Sequence, residues 1–296
     1  MNLAYLFSLF VAGFLMVVVG VCCPPCVWAQ KNSCQRIVSL APSITEILVE
    51  LGLESTIVGI TTYDRYPPSI IGKSVIGGFL DVNTEAIVRA HPTAVFALVE
   101  GDESLRRVKS LGIPVDLLDH RSVKGILDSV TAIAQRCGIS ERGRTVVQQL
   151  KAKVAEVLSS HKLKDLSLKV LVVVGREVAA EGVSSVYVSG CDGFYHELLL
   201  LGGATNAYDG PTLSVPTLSA EGLRSLNPDL ILEIVGTDAL APSDEVILES
   251  WQQLGSIPAV AQGRIFIMRN DYVTIPGPRY HLLLRDMVQV FSSVRR

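Results

Sequence analysis

Short, continuous apolar runs alternate with amphipathic stretches from residue 36 to the C-terminus. Residues 36–41 (Arg-Ile-Val-Ser-Leu-Ala) read as a buried strand. Pro42-Ser43-Ile-Thr-Glu46 then has the form of a capping box, opening a helix that runs to Gly52. Residues 56–60 form a second apolar run and end in a polar, aromatic loop at 61–68. The pattern continues with strands near 93–97 and 114–118. Strands that are apolar throughout, separated by helices, predict a parallel sheet covered on both faces.

From 140 to 162 the apolar positions Val147, Leu150, Val154 and Leu158 recur at helical spacing. One long helix is expected there, stiffer than a Gly/Ser linker and suited to small rocking motions. The run 168–174 (Leu-Lys-Val-Leu-Val-Val-Val) opens a second α/β segment, which ends in an amphipathic helix over 279–294. A motif occurs in both segments. Asn83-Thr-Glu85-Ala-Ile87, ending at Pro92, is echoed by Ser219-Ala-Glu221-Gly-Leu223, ending at Pro228. Each copy reads as a helix N-cap, a first-turn acid, a short helix, a proline stop and a strand. The copies lie too far apart for a solenoid and suit two similar lobes. The expected organisation is a signal segment at 1–29, an N-terminal α/β lobe at 34–139, a joining helix at 140–163 and a C-terminal α/β lobe at 164–296. A cleft between such lobes is a natural ligand site.

Residues 1–30 carry no charged side chain, and 3–23 are almost wholly apolar. With Val27-Trp28-Ala29 as a cleavage site, the segment reads as a secretory signal. Its length also suits an uncleaved anchor, and Cys22 or Cys23 is a candidate for lipid modification. All three readings place the folded part outside the cytoplasm. Three of the six cysteines lie in this leader; Cys34, Cys137 and Cys191 remain, enough for one disulfide and one leftover thiol.

Charge is nearly balanced, at −3 over 296 residues, with no basic stripe for nucleic acid. No G-x-S-x-G elbow, H-E-x-x-H pair or P-loop occurs, so no enzyme is expected. The five histidines are dispersed and form no zinc-ligand pair; no metal site or resident cofactor is expected. Tyr195-His196, at an apolar helix start, reads as structural.

Several stretches together resemble the substrate-binding proteins of ABC importers for cobalamin, haem and ferric siderophores. They are residues 36–48, Tyr66-Pro-Pro, Gly77-Gly78-Phe79, Asn83-x-Glu85, 201–206 (Leu-Gly-Gly-Ala-Thr-Asn), Ser219-x-Glu221 with Asn227-Pro-Asp229, and Pro276-Gly-Pro-Arg279. The resemblance spans residue 34 to the end. It implies two Rossmann-like lobes, each a mainly parallel sheet with flanking helices, joined by one rigid helix with the ligand cleft between them. It further implies an exported, periplasmic, monomeric protein that carries a corrinoid or iron chelate to a permease dimer in the membrane. Glu85 and Glu221 take the positions of the permease-docking acids. Tyr63, Tyr66, Phe79 and Tyr187 are the candidate aromatic ligand contacts; Arg176, Tyr272 and Arg279 are candidates to meet an anionic ligand group. Leu98 and Val215 stand where the cobalamin binders carry tryptophans, which keeps haem and siderophores open. A free-metal binder of the same fold, or a membrane-anchored sensory or enzymatic domain, is the alternative.

Overall fold

The structure is a computed structural model that describes residues 34–78, 81–101, 103–160, 167–179, 182–211, 215–237 and 241–294. The leader and Phe79 lie outside the described residues.

The first half begins with β1 (Ile37–Ser39), α1 (Pro42–Glu50), β2 (Ile57–Gly59) and α2 (Thr84–Arg89). It continues through β3 (Ala94–Leu98), α3 (Arg106–Ser110), β4 (Val115–Leu118) and α4 (Val123–Arg136). Its four strands form one wholly parallel sheet in the order β2-β1-β3-β4. Burial explains the choice: β1 is buried along its length, as is β3 except at Leu98, so neither face needs polar alternation.

After α5 (Ser140–Ser160), the second half runs β5 (Lys169–Ala179), β6 (Gly182–Val188), α6 (Phe194–Leu201), β7 (Thr205–Asn206) and β8 (Thr217–Ser219). It ends with α7 (Ala220–Leu226), β9 (Leu230–Ile234), α8 (Asp244–Gln252), α9 (Pro258–Ala261), β10 (Ile265–Met268) and α10 (Tyr280–Val294). The second sheet has the order β10-β9-β5-β6-β8, with β7 beside β5. β10, β9, β5 and β7 are parallel, whereas β6 and β8 are antiparallel additions. The sheet is therefore mixed. A hairpin from β5 into β6 extends it, a feature absent from the apolar-run reading.

The motif repeat folds the same way twice. The Asn83 side chain accepts from the Ala86 N–H at the start of α2, and the Ser219 side chain accepts from the Gly222 N–H at the start of α7. Both copies stop at a left-handed residue before proline, His91 (φ 44°) and Asn227 (φ 49°). Each then enters a buried strand, β3 or β9.

One apolar cluster runs through both halves. It contains Ile44 and Ile47 of α1, Val130 and Ile133 of α4, Val146 and Leu150 of α5, and Leu283, Leu284 and Met287 of α10, with Val170 and Val172 of β5. α5 packs on α4 and on α10, so it is a packed strut rather than a bare linker. A disulfide joins Cys34, before β1, to Cys137, the C-cap of α4, and Cys191 stays reduced. Closing a loop of 103 residues restricts the unfolded chain, worth about 4–5 kcal/mol on the chain-entropy account.

Candidate functional site

α1 is opened differently from a capping box. Ala41 is the N-cap without a side-chain bond, and Pro42 sits in the first turn, where its missing N–H costs nothing. Ser43 and Glu46 are thereby released for other work. Ser43 Oγ lies 2.8 Å from His120 Nδ1, and the Glu46 carboxylate meets Arg279.

Above this helix start lies a cavity of about 490 Å³. The first half lines it with Pro42, Ser43, Glu46, Tyr63, Arg65, Tyr66 and Leu98; the second contributes Val235, Gly236, Thr237, Asp271, Thr274, Ile275 and Pro276. Its wall on the second half is the segment before α10. Gly277 packs tightly there: a Cβ would stand 3.1 Å from the Ser43 Cβ and 3.2 Å from its Cα, closer than ordinary contact. The Pro276-to-Arg279 stretch is thus the place where the second half closes on α1.

Arg279 is the centre of that closure. It is 8% exposed, donates to both Glu46 oxygens at 3.0 and 2.6 Å, and donates to Asp271 at 2.7 Å. Its guanidinium also lies 3.9 Å from the centre of the Tyr66 ring, within cation–π range. Burial pushes the Glu46 carboxyl up to about 7, against the lowering effect of Arg279, and nearby Asp271 and Asp64 push the same way. Arg279 itself is raised: burial opposes its charge, but Glu46 and Asp271 together outweigh it. The two directions are compatible, because Asp271 keeps Arg279 charged even when Glu46 takes a proton. His120 is buried and pushed down to about 4 by burial, so it is neutral near pH 7. Its Nε2 closes no hydrogen bond of full geometry, although the Pro276 backbone acts on the ring.

The loop before the double proline is braced from within. Asp64 accepts from the Thr61 N–H at 2.8 Å and from the Thr61 hydroxyl at 2.5 Å, and the Tyr63 N–H donates to that hydroxyl. Burial raises the Asp64 carboxyl. The Tyr66–Pro67 peptide is cis.

The residues anticipated from sequence separate into three groups. Tyr63 and Tyr66 are on the cavity lining, with 59% and 42% exposure. Arg279 and Tyr272 lie beneath it, absent from the lining; the Tyr272 hydroxyl donates to Asp286 at 2.5 Å. Arg176 and Tyr187 lie away from the cavity in the second sheet. Arg176 pairs with Glu233 and donates to Ser250, while the Tyr187 hydroxyl donates to Glu177 at 3.0 Å. Leu98 lines the cavity, whereas Val215 is 55% exposed and absent from the lining. Tyr195 is structural, donating to the Val273 carbonyl at 2.8 Å. Glu85 and Glu221 are exposed in the first turns of α2 and α7. Sequence reasoning passed over Arg65, Glu46 and Asp271. The first was legible as a cation between two tyrosines in a loop; the other two have partners far away in the chain.

Comparison with known proteins agrees with this architecture. An uncharacterized ABC transporter substrate-binding lipoprotein of Bacillus subtilis is 29% identical over 269 residues, covering 89% of this chain and 81% of that one. A vitamin B12-binding protein of Vibrio parahaemolyticus is 21% identical over 271 residues, covering 88% and 91%. The solved structure of a possible iron-binding, periplasmic solute-binding protein of Staphylococcus epidermidis superposes with a TM-score of 0.74 at 26% identity, covering 86% of this chain and 98% of that one. These relatives are named as binding proteins, not enzymes. The periplasmic binding protein family matches residues 37–272, and the chain belongs to that family.

Proposed function

We propose that this chain is the extracytoplasmic substrate-binding protein of an ABC importer, without catalytic activity, and that it captures a corrinoid or an iron chelate. The observation that carries the reading is the cavity lined from both halves, with Tyr63, Tyr66 and Leu98 on one side and the 271–276 segment on the other. Its volume of about 490 Å³ lies within the usual range for ligand pockets, about 300–1,000 Å³. Aromatic faces contribute large contact area to a flat chelate at low entropy cost. Among the described residues no group of three or more His, Cys, Asp or Glu is placed to hold a bare ion, which favours a chelate over a free metal. Haem is the alternative ligand within this reading: Tyr63 lines the cavity, and a tyrosine phenol is a donor able to ligate haem iron.

The test is titration of the protein freed of its leader with cyanocobalamin, haemin and a ferric siderophore, following intrinsic fluorescence and the ligand's visible band. Saturable one-to-one binding of one compound is expected. Binding of none removes the reading.

Delivery is assigned to Glu85 and Glu221. An acid in a helix's first turn also complements the helix dipole, at about 0.3–1 kcal/mol. The same exposed placement in both copies of the repeat supports docking instead, since two separated charges on a rigid body orient it on a two-fold-related permease. The double variant Glu85→Ala with Glu221→Ala is expected to keep ligand affinity and lose stimulation of the importer's ATPase. Full stimulation by that variant would remove the assignment.

A further inference from the structure

The cavity presents its fixed charges unequally, and that inequality specifies the ligand further. Arg65 is the one cationic side chain on the lining among the described residues. It is exposed and has no ion pair or hydrogen bond there. The neighbouring Arg279 differs: its guanidinium is taken by Glu46, Asp271 and the face of Tyr66. Arg176 is likewise taken, by Glu233 of β9 and Ser250 of α8. The floor and far wall carry Glu46 and Asp271, both already paired with Arg279, so they offer no free cation to an anionic group.

We infer that Arg65 is the specificity-determining contact of this cavity, holding a peripheral oxyanion of the chelate, either a carboxylate of a porphyrin or the phosphodiester of a corrinoid. The inference rests on the transport reading above and deepens it. A planar guanidinium matches such an oxyanion with two parallel hydrogen bonds. The backbone on either side of it is already fixed. Asp64 is tied to Thr61, the Thr62 N–H donates to the Gly77 carbonyl at 3.0 Å, and the Tyr66 ring is held against Arg279. Ordering the loop therefore costs little on binding, and only the arginine side chain remains to be placed. The charge layout also orients the ligand: its anionic edge faces the 61–66 loop, and its uncharged part faces Asp271 and Glu46.

Wild type, Arg65→Gln and Arg65→Lys would be titrated with haemin, with cyanocobalamin and with ferrioxamine B, a ferric hydroxamate that carries no anionic group. Arg65→Gln is expected to weaken the anion-bearing compound that wild type binds by roughly ten- to a hundredfold, as for loss of a charged hydrogen bond. Arg65→Lys is expected to recover part of the affinity. The difference between wild type and Arg65→Gln should shrink in high salt. A response with haemin alone identifies the carboxylate source, and one with cyanocobalamin alone the phosphodiester. Unchanged affinity in Arg65→Gln, or wild type preferring ferrioxamine B to both others, overturns this assignment and leaves the transport reading standing. Wild type binding none of the three overturns the transport reading itself, and this inference with it.

Discussion

Two buried arginine–glutamate pairs, similar in chemistry, occupy different situations. Arg176 and Glu233 lie on neighbouring strands of the second sheet, with side chains 11% and 3% exposed. Arg279 and Glu46 are 9% and 2% exposed but join the two halves across 233 residues of sequence. The first pair is closed between the sheet and α8: Glu233 also accepts from the Trp251 indole at 2.6 Å, and the Arg176 guanidinium lies 5.7 Å from the Trp251 ring centre. The second opens toward a cavity and has spare partners, since Asp271 and the Tyr66 ring hold Arg279 independently of Glu46. A buried ion pair is weak evidence of net stability in itself. Its context decides what it does, and here one pair serves the sheet while the other ties the cavity walls together.

The comparison breaks most visibly when the acid is removed from each pair. Glu233→Ala strands Arg176 in a buried site where burial already pushes its guanidinium down to about 10. It also leaves the Trp251 N–H without its acceptor. Losing one partner of such a pair typically costs about 3–5 kcal/mol. Glu46→Ala leaves Arg279 paired with Asp271, so a smaller loss is expected, about 1–3 kcal/mol. Urea unfolding of both variants measures the difference. Equal losses would show that Asp271 and Tyr66 do not back up the second pair.

The same contrast explains which parts of the molecule were legible in the sequence. Local chemistry was readable: the Asn83 and Ser219 caps, the proline stops, the long α5 and the parallel first sheet all follow from residues within a few positions of each other. The 61–68 loop was legible as a polar, aromatic loop after a strand, and Tyr63 and Tyr66 do line the cavity, although Tyr66 also packs against Arg279. The arginines were not. An isolated arginine in a sequence looks available, and only folding shows that Arg279 is spent on Glu46 and Arg176 on Glu233. Arg65 carries the opposite lesson: its place between two tyrosines in a loop was a signal that sequence reasoning passed over, and it is the cation left on the lining. The β5–β6 hairpin escaped for another reason. Residues 182–188 are too polar for a buried run, and their Ser185 and Tyr187 face Glu177 across an exposed antiparallel pair. The disulfide partners, 103 residues apart, had no local signature.

A finer effect separates the pairs by pH. The Glu46 carboxyl titrates near 7 in the folded protein, above its ordinary 4.5, because burial favours the neutral form. Between those values the folded state holds a proton that the unfolded chain has released. This group's contribution to stability is therefore full at low pH and declines as pH rises through the window, by up to about 1.4 kcal/mol per pH unit. His120 acts in the reverse direction. Lowered by burial from 6.5 to about 4, it is neutral in the fold where the unfolded chain is protonated, so its contribution is lost as pH falls through that range. The two slopes oppose each other between about pH 4.5 and 6.5, and the wild-type profile conceals both. Glu46→Gln removes one of them. The stability of wild type minus that of Glu46→Gln is expected to fall steadily from pH 4.5 to 7 and to level above it, while the variant alone gains stability with pH as the His120 slope is unmasked. Denaturant midpoints at half-unit pH intervals read this directly. A difference curve flat across the window would mean that Arg279 holds Glu46 ionised throughout.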